Sequence, residues 1–335
     1  MLTYLRRSLI GAVVCLLIAL AFQYSNSNLA FFKKTPKIPV TAPAVSSANM
    51  VRAPVIALSH GGGPMPIMGD PNHKDIIYSL KHRVPKLLRL NTPEAPKGIV
   101  LVTAHWTTST PSITSSAKPG LLYDYYGFPK ETYSLKYDAP GSPSIADKVK
   151  AAMEKEGLEP VLDAKRNWDH GVFVPLTLIN PKADIPIVQV SVLKSEDPAQ
   201  HFAMGKALQK LRDENIAIIG SGFASFHNLS KMGELMMGRQ RLGGAVSPFR
   251  GRSDEWNAAL TDAVGRNSTS DRLAALKGWR RFPHADEMHP KYGGEHFLPL
   301  LVCSAAGGDE KAGHYKDEFI GIDVFTYYWG NEIDF

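Results

Sequence analysis

Cysteine is scarce in this sequence, which has only Cys15 and Cys303 among its 335 residues. Two cysteines so far apart form neither a disulfide framework nor the paired spacing of a structural zinc site. Cys15 lies in an apolar N-terminal run, and we expect Cys303 to lie in a buried helix. The fold is therefore not expected to depend on an oxidising compartment.

Concentrated charge is also missing, although the formal net charge is +6. The basic residues are spread along the chain, and only the extreme N-terminus and residues 239–252 are locally basic. The sequence has no basic stripe with interleaved aromatic residues, which excludes the usual pattern of a nucleic-acid-binding protein. Its 44% hydrophobic and 21% charged residues are typical of a globular chain, long enough for one large α/β domain or two small ones.

Acidic residues are absent before Asp70, and the N-terminus has the character of a targeting segment. Arg6 and Arg7 precede an apolar stretch over residues 9–22, and residues 19–21 offer a small-residue cleavage site. We predict a signal peptide or signal anchor over residues 1–24, leading to the secretory pathway or to membrane attachment. The stretch is shorter than the roughly 20 residues of a spanning helix, and a mitochondrial presequence is the other interpretation.

The segment that follows has no hydrophobic periodicity. Residues 25–53 are rich in proline, serine, alanine and lysine, which is typical of a flexible tether. A short apolar run begins directly after it. We therefore predict one folded catalytic domain over residues 54–335.

Four near-continuous apolar runs predict strands that are buried on both faces. These runs span residues 55–58, 99–103, 185–192 and 216–220. Helical patterns lie between them, over residues 75–90, 144–156 and 198–214. The alternation predicts an α/β fold, a single domain with a mostly parallel central sheet flanked by helices on both faces.

Histidines lie where the predicted strands end. His60 follows the first strand, His105 follows the second, and His227 lies in the loop after the fourth. His296 begins another apolar run, which a helix start can bring to the same edge of the sheet. Ligand sites form at the carboxyl ends of parallel strands, and neutral imidazoles suit Zn²⁺ or Fe²⁺. A single histidine is more often structural, but their shared placement predicts one metal site.

The tripeptide Asp169-His170-Gly171 leaves two interpretations open. In one, it is a tight turn held by the Asp169 side chain. In the other, His170 is an imidazole beside the metal or the substrate, and the Asp169 carboxylate orients it.

The remaining histidines are predicted to lie outside the site. Four of them occur in polar segments and are expected at the surface: His73, His82, His201 and His314. His284 and His289 flank Glu287, and their spacing does not match His-Glu-x-x-His. We interpret that segment as a polar loop near the site mouth rather than a second metal cluster.

The run His60-Gly-Gly-Gly63 also matches the oxyanion-hole motif of some lipases and esterases. A hydrolase of that kind needs a Gly-x-Ser-x-Gly nucleophile elbow, which the sequence lacks. Gly220-Ser-Gly222 has the wrong spacing. A serine hydrolase of the lipase type is therefore not favoured, and a metal-dependent hydrolase is a separate, weaker alternative.

Several motifs in this order resemble one family. They are Ser59-His-Gly-Gly-Gly-Pro64, Thr103-Ala-His-Trp106, Asp169-His-Gly171, Gly220-Ser-Gly222 with His227-Asn228, and Glu295-His-Phe-Leu-Pro-Leu300. Together they resemble the class III extradiol dioxygenases of the LigB superfamily, and within it the DOPA 4,5-dioxygenase group. Tyr123-Asp-Tyr-Tyr-Gly-Phe-Pro129 and Tyr137-Asp-Ala-Pro-Gly141 are similar to that group as well.

The resemblance implies the activity and the ligands. It implies one metal ion, Fe²⁺ for turnover or Zn²⁺ as often found, bound by His60, His105 and His296. The position of His227 is the acid/base histidine of the superfamily, and the DOPA group also describes it as a fourth metal neighbour. His170 matches a family element near the substrate. The implied reaction opens a catechol such as DOPA with O₂, and a non-enzymatic zinc-binding protein of the same fold is the alternative.

One segment departs from the family pattern. Residues 235–252 form an extra span rich in glycine, arginine and methionine. We hypothesise that this span is a lid or substrate loop, and it leaves the identity of the catechol open.

Overall fold

The apolar runs form the centre of one sheet in the computed structural model, which describes residues 52–241, 249–331, 333 and 335. The strands are β1 (Val55–Ser59), β2 (Gly98–Thr108), β3 (Ser112–Thr114), β4 (Val161–Asp163), β5 (Ile187–Leu193), β6 (Ile216–Gly222), β7 (Gly313–Phe319) and β8 (Ile322–Trp329). Every residue of β1, β5 and β6 is buried, as expected for strands covered on both faces. Cys15, the predicted leader and nearly all of the predicted tether lie outside the described residues.

The sheet is mostly parallel. Its strand order is β4-β3-β5-β2-β6-β1-β8-β7. The central strands β5, β2, β6 and β1 pair in parallel, and β8 joins β1 in the antiparallel direction. Because the carboxyl ends of β1, β2 and β6 meet at one edge, residues that follow them are brought together.

Helices cover the sheet between the strands. They are α1 (Met65–Met68), α2 (Lys74–Tyr78), α3 (Val84–Leu87), α4 (Pro143–Lys155), α5 (His170–Ile179), α6 (Pro198–Gln209), α7 (Leu229–Arg241), α8 (Arg250–Val264), α9 (Thr269–Leu276), α10 (Ala285–Met288) and α11 (Leu298–Ala306). Short 3₁₀ turns occur at Pro71–His73, Lys130–Ser134, Lys210–Glu214 and Trp279–Arg281. The predicted fold class, a single α/β domain with a mostly parallel sheet, is confirmed. Cys303 lies buried in α11, as expected.

Local sequence explains how these helices begin and end. The Ser142 hydroxyl accepts a hydrogen bond from the Ile145 backbone N–H at 3.3 Å and caps α4, whose first residue is a proline. The predicted helix over residues 75–90 is broken by a π-helical turn, Ser79–Arg83, between α2 and α3. Pro85 lacks the N–H that would bond to the Lys81 carbonyl, so the regular ladder is interrupted there.

The sequence prediction missed four strands, β3, β4, β7 and β8. β3 and β4 are three residues each, too short to show periodicity. β7 is largely polar and alternates between buried and exposed residues at the edge of the sheet. Among the described residues, no helix combines the length and apolar character needed to cross a bilayer.

Candidate metal centre

His60 is placed by the end of β1 and fixed by β6. The pairing of the two strands brings Ser221 beside Leu58, and the Ser221 hydroxyl lies 3.0 Å from Nδ1 of His60. That hydroxyl donates its proton to the Gly171 carbonyl, so it accepts from Nδ1–H of His60. The lone pair of His60 is therefore left on Nε2, which is the form of imidazole that binds a metal.

His105 lies inside β2 rather than after it. The prediction that it follows the strand was wrong by a few residues, because pairing with β5 shifts register between Val102 and Thr107 and the strand then continues. At this irregularity the His105 ring faces the rings of His60 and His296. Gly171 lets the chain approach this ring, since a Cβ there would lie 2.8 Å from Cδ2 of His105.

His296 reaches the site just before α11 begins. Its carbonyl accepts the Phe223 backbone N–H at 2.9 Å, which ties the segment to the end of β6. A Cβ on Gly222 would lie only 2.4 Å from that carbonyl oxygen, so the close approach requires glycine. Nδ1 of His296 faces Oε1 of Glu295 at 3.1 Å, which turns Nε2 towards His60 and His105.

The three rings converge on one point. Nε2 of His105 lies 3.3 Å from Nε2 of His60 and 3.3 Å from Nε2 of His296. Two nitrogens that share an ion at about 2.1 Å lie about 3.0 Å apart at a right angle and about 3.4 Å apart at the tetrahedral angle. The donor set and its spacing therefore fit one metal ion, and these three histidines can hold it.

Burial makes these imidazoles neutral. Loss of hydration lowers the pKa of His60, His105 and His296 well below the ordinary value, and the neighbouring histidines lower it further. A neutral ring does not have to lose a proton before its nitrogen binds a metal.

His227 is in direct contact with one of these three histidines. Its ring stacks on His296 with centroids 3.3 Å apart and planes at 12°. Its backbone N–H donates to the Met288 carbonyl at 2.8 Å, and Nδ1 lies 3.7 Å from Oε1 of Glu295. Burial, and then the charge of His170, lower the pKa of His227 to about 4. The His227 side chain is 18% exposed, so it can be reached from solvent.

His170 is the fifth imidazole of the cluster, but Asp169 does not orient it. Nδ1 of His170 bonds to Oδ1 of Asp124 at 2.8 Å, and its ring centroid lies 3.8 Å from that of His105. Burial raises the pKa of Asp124, but the hydrogen bonds and charge of His170 outweigh this and hold it below its ordinary value. The carboxylate that orients His170 is therefore Asp124.

Asp169 instead forms a hydrogen bond with Thr103 of β2. Its fully buried carboxyl accepts hydrogen bonds from Thr103 Oγ1 at 2.8 Å, Arg166 at 3.0 Å and Gln189 at 3.0 Å. Burial raises the pKa of Asp169 to about 6. Thr103 Oγ1 in turn accepts the His105 backbone N–H at 3.1 Å, so Asp169 helps to hold the segment that carries a candidate ligand.

Two histidines that were predicted to lie at the surface are buried instead. Nε2 of His73 accepts the Gly62 N–H at 2.9 Å, and Nε2 of His201 accepts the Leu193 N–H at 3.1 Å. The polar residues around them in the sequence misled the prediction, because the ring of each faces inward to satisfy a backbone group. His82 and His314 are exposed, as expected.

The segment around His284 and His289 is not the predicted polar loop. It contains α10, and His289 is fully buried with Nε2 2.9 Å from the Ala224 carbonyl oxygen. The His289 ring packs against Trp256, Trp279 and Phe297. Of these two histidines, only His284 keeps partial exposure, beside carboxylates of Glu255 and Glu287.

The structure also weakens the interpretation as a serine hydrolase of the lipase type. Ser221 is fully buried, and its hydroxyl is engaged by His60 and the Gly171 carbonyl. The Gly62 N–H, which an oxyanion hole would need, donates to His73. The Ser221 hydroxyl is therefore occupied in holding His60, and the Gly62 N–H is occupied by His73, which lies outside the cluster.

Sequence reasoning gave no role to Ser221, Asp124 or Glu295. All three were inside the motifs that carried the family resemblance, and that was the available signal. The extra span of residues 235–252 covers the end of α7 and the start of α8, and residues 242–248 lie outside the described residues. The lid hypothesis stays a prediction.

A mostly parallel sheet with a histidine cluster at its carboxyl edge fits the class of metal-binding α/β proteins. Residues 54–327 match the family model described as the catalytic LigB subunit of aromatic ring-opening dioxygenase. The chain belongs to this family and is an extradiol ring-opening dioxygenase.

Individual relatives agree with the family match. The chain is 56% identical over 292 residues to dioxygenase tasH of Hapsidospora irregularis, covering 85% of this chain and 88% of that protein. It is 33% identical over 254 residues to a 4,5-DOPA dioxygenase extradiol of Beta vulgaris, covering 75% of this chain and 86% of that protein. An uncharacterized protein, JW3007 from Escherichia coli K12, has a similar structure with a TM-score of 0.60 and 28% identity, covering 83% of this chain and 100% of that one.

Proposed function

We propose that this dioxygenase opens the ring of a DOPA-like catechol with O₂ at a single metal ion held by His60, His105 and His296. The observation that carries the proposal is the meeting of three imidazole Nε2 atoms, with the two measured separations both 3.3 Å. The metal is Fe²⁺ for turnover, and Zn²⁺ fits the same donors. Several relatives carry the name 4,5-DOPA dioxygenase extradiol, which supports the substrate class.

Fe²⁺ at this position would supply the redox chemistry with O₂ and the positive charge that lowers the pKa of a catechol hydroxyl. The protein supplies the orientation of the rings. Ser221 and Glu295 hold the Nδ1 atoms of His60 and His296, so the ligand nitrogens are aimed before an ion arrives.

His227 and His170 are the proposed proton carriers. They flank the ligand set on different sides, with His227 stacked on His296 and His170 beside His105. A positioned imidazole can take the proton of a catechol hydroxyl and return it later in the reaction. His227 is also close enough to be a fourth metal neighbour, which is why we assign it to both roles.

The open side of the site lies at His105 and His227. Their side chains are 17% and 18% exposed, whereas those of His296 and His170 are 4% and 8% exposed. A flat aromatic ring entering from this side would meet the ligand set and His227 together. This placement supports a small-molecule substrate.

The test is ring opening by the loaded full-length chain. The protein is loaded with Fe²⁺ without oxygen, then mixed with O₂ and a panel of catechols that includes DOPA. We expect a yellow ring-opened product and one O₂ consumed per catechol. The Zn²⁺-loaded chain and a His60→Ala variant are the controls, and absence of product and O₂ uptake across the panel would refute the proposal.

The N-terminal segment carries a separate proposal. We propose that residues 1–24 target or anchor the protein through the secretory pathway, residues 25–53 form a tether, and residues 54–335 are the catalytic domain. The apolar run behind two arginines supports this. A fluorescent fusion should lie in secretory membranes or outside the cell, and mitochondrial fluorescence would favour the presequence interpretation.

A further inference from the structure

One carboxylate in the cluster lies between a candidate ligand and a histidine outside the ligand set. Oδ1 of Asp124 accepts both Nδ1–H of His170 at 2.8 Å and the His170 backbone N–H at 2.9 Å. Oδ2 of the same carboxylate is 3.8 Å from Nδ1 of His105, too far for a hydrogen bond. The hydrogen bonds of Asp124 within the cluster therefore go to His170 and not to His105.

The chain on either side of Asp124 is anchored. The side chains on either side of it are anchored to backbone carbonyls, because Tyr123 donates to Leu135 at 2.6 Å and Tyr125 donates to Thr132 at 2.6 Å. The ring of Tyr125 also meets the His170 ring edge-on at 5.6 Å. A carboxylate that accepts one ring N–H of a histidine sets the tautomer of that ring.

We propose that Asp124 is a positioning residue for ring opening, and that it holds His170 in the tautomer whose Nε2 can accept a catechol proton. The inference rests on the proposed function and adds a residue to it. In the step, the catechol O–H bond breaks, its electron pair stays on oxygen, and the proton forms a bond to Nε2. Nδ1–H remains on Asp124, whose negative charge then lies beside the imidazolium.

Glu295 provides a matched comparison on the other side of the cluster. Its Oε1 lies 3.1 Å from Nδ1 of His296 and 3.7 Å from Nδ1 of His227. Here the short contact goes to a candidate metal ligand, and the long contact goes to a proposed proton carrier. Changing Glu295 should therefore lower the affinity for the metal. Changing Asp124 should instead slow turnover while the metal stays bound.

The first test needs no turnover. Long-range ¹H–¹⁵N NMR of the full-length Zn²⁺-loaded chain, labelled on histidine and assigned with a His170→Gln variant, reports which His170 nitrogen carries the proton. We expect Nδ1–H in the wild type and a mixture of tautomers in Asp124→Ala. A proton on Nε2 in the wild type, or an unchanged spectrum in Asp124→Ala, would overturn the proposal.

The second test separates turnover from metal binding. Asp124→Asn keeps an acceptor oxygen for both N–H groups but removes the charge. We expect kcat to fall about 10²-fold, at the low end of a positioned acid/base contribution, with little change in KM. Metal per chain should equal that of the wild type, and Glu295→Gln should instead weaken metal affinity about 10-fold to 100-fold.

A double-variant cycle assigns the effect to His170. If Asp124 acts through that ring, Asp124→Asn with His170→Gln should be no slower than His170→Gln alone. Losses that multiply, wild-type kcat in Asp124→Asn, or metal lost in proportion to activity would each contradict the proposal. If the wild type opens no catechol at all, the proposed function fails, while the NMR result still decides whether Asp124 holds His170.

Discussion

Two groups of buried histidines occur in this protein, and they differ in what their ring nitrogens meet. In the site, Nε2 atoms of His60, His105 and His296 face one another. Elsewhere, both ring nitrogens of His201 have partners, since Nε2 accepts the Leu193 N–H and Nδ1 faces the Asp197 carbonyl at 2.8 Å. His73 is similar, with Gly62 on one nitrogen and Asp70 on the other.

The comparison shows that burial by itself does not identify a metal ligand. Loss of hydration lowers the pKa of His73 and His201 as well as that of the site histidines. The difference lies in whether free ring nitrogens converge, since the buried His289 also keeps an unpaired Nδ1 but belongs to none of the candidate metal groups among the described residues. A histidine whose two nitrogens are paired is structural, whereas a histidine whose free nitrogen meets two others is ready for an ion.

The largest expected effect comes from removing one of the converging rings. His60→Ala, His105→Ala or His296→Ala should each abolish stoichiometric metal binding and ring opening, because a three-ligand site depends on every member. Metal per chain is measured by elemental analysis after dialysis. His201→Ala is the matched control and should keep full metal, and equal loss in that variant would break the comparison.

His227→Ala should have the next largest effect. Because His227 stacks on His296 without being one of the converging three, its loss should slow turnover about 10²–10⁴-fold and leave most of the metal in place. Metal content and turnover are measured on the same preparation. Metal loss equal to that of His296→Ala would make His227 a full ligand, and wild-type turnover would remove it from the mechanism.

His201 should affect stability rather than metal. His201→Ala leaves the buried Leu193 N–H without its acceptor and opens a cavity, so the free energy of unfolding should fall by about 1–3 kcal/mol. Urea unfolding at pH 7.5 measures this loss. A variant as stable as the wild type would show that this buried pairing contributes little.

The pH dependence of that stability gives a smaller effect with a defined sign. Burial lowers the folded pKa of His201 below 6.5, so the unfolded chain binds the proton more readily. The His201 contribution is complete above about pH 6.5 and is lost as pH falls through the folded pKa. Unfolding measured at pH 7.5 and pH 5.5 should show a steeper loss in the wild type than in His201→Ala, and equal slopes would contradict this.

The smallest effect is expected outside both groups of histidines. Removing residues 1–50 should leave a soluble chain with full metal and turnover, because the family match begins at residue 54. Metal per chain and kcat of the truncated and full-length proteins are compared. An insoluble or metal-free truncated chain would place part of the folded domain before residue 51.

The sequence predicted the structure correctly where residues of one type, such as the apolar residues of a buried strand, recur for a physical reason. The four core strands were predicted within a few residues, apart from the longer extension of β2, because strands buried on both faces are near-continuous apolar runs. His60 and His227 were located because each follows such a strand. The short and edge strands β3, β4 and β7 were missed, since their few or polar residues show no such run, and β8 was missed as well.

The sequence by itself determined the fold class, the family and the identity of the histidines that converge. Only the tertiary structure decided which partner each ring meets. His170 sits next to Asp169 in the chain, yet its carboxylate is Asp124, 46 residues away. Adjacent side chains point in different directions, and the buried Asp169 is already held by Thr103, Arg166 and Gln189. Hydrogen bonds between distant segments are set by how the elements pack, which no local pattern encodes.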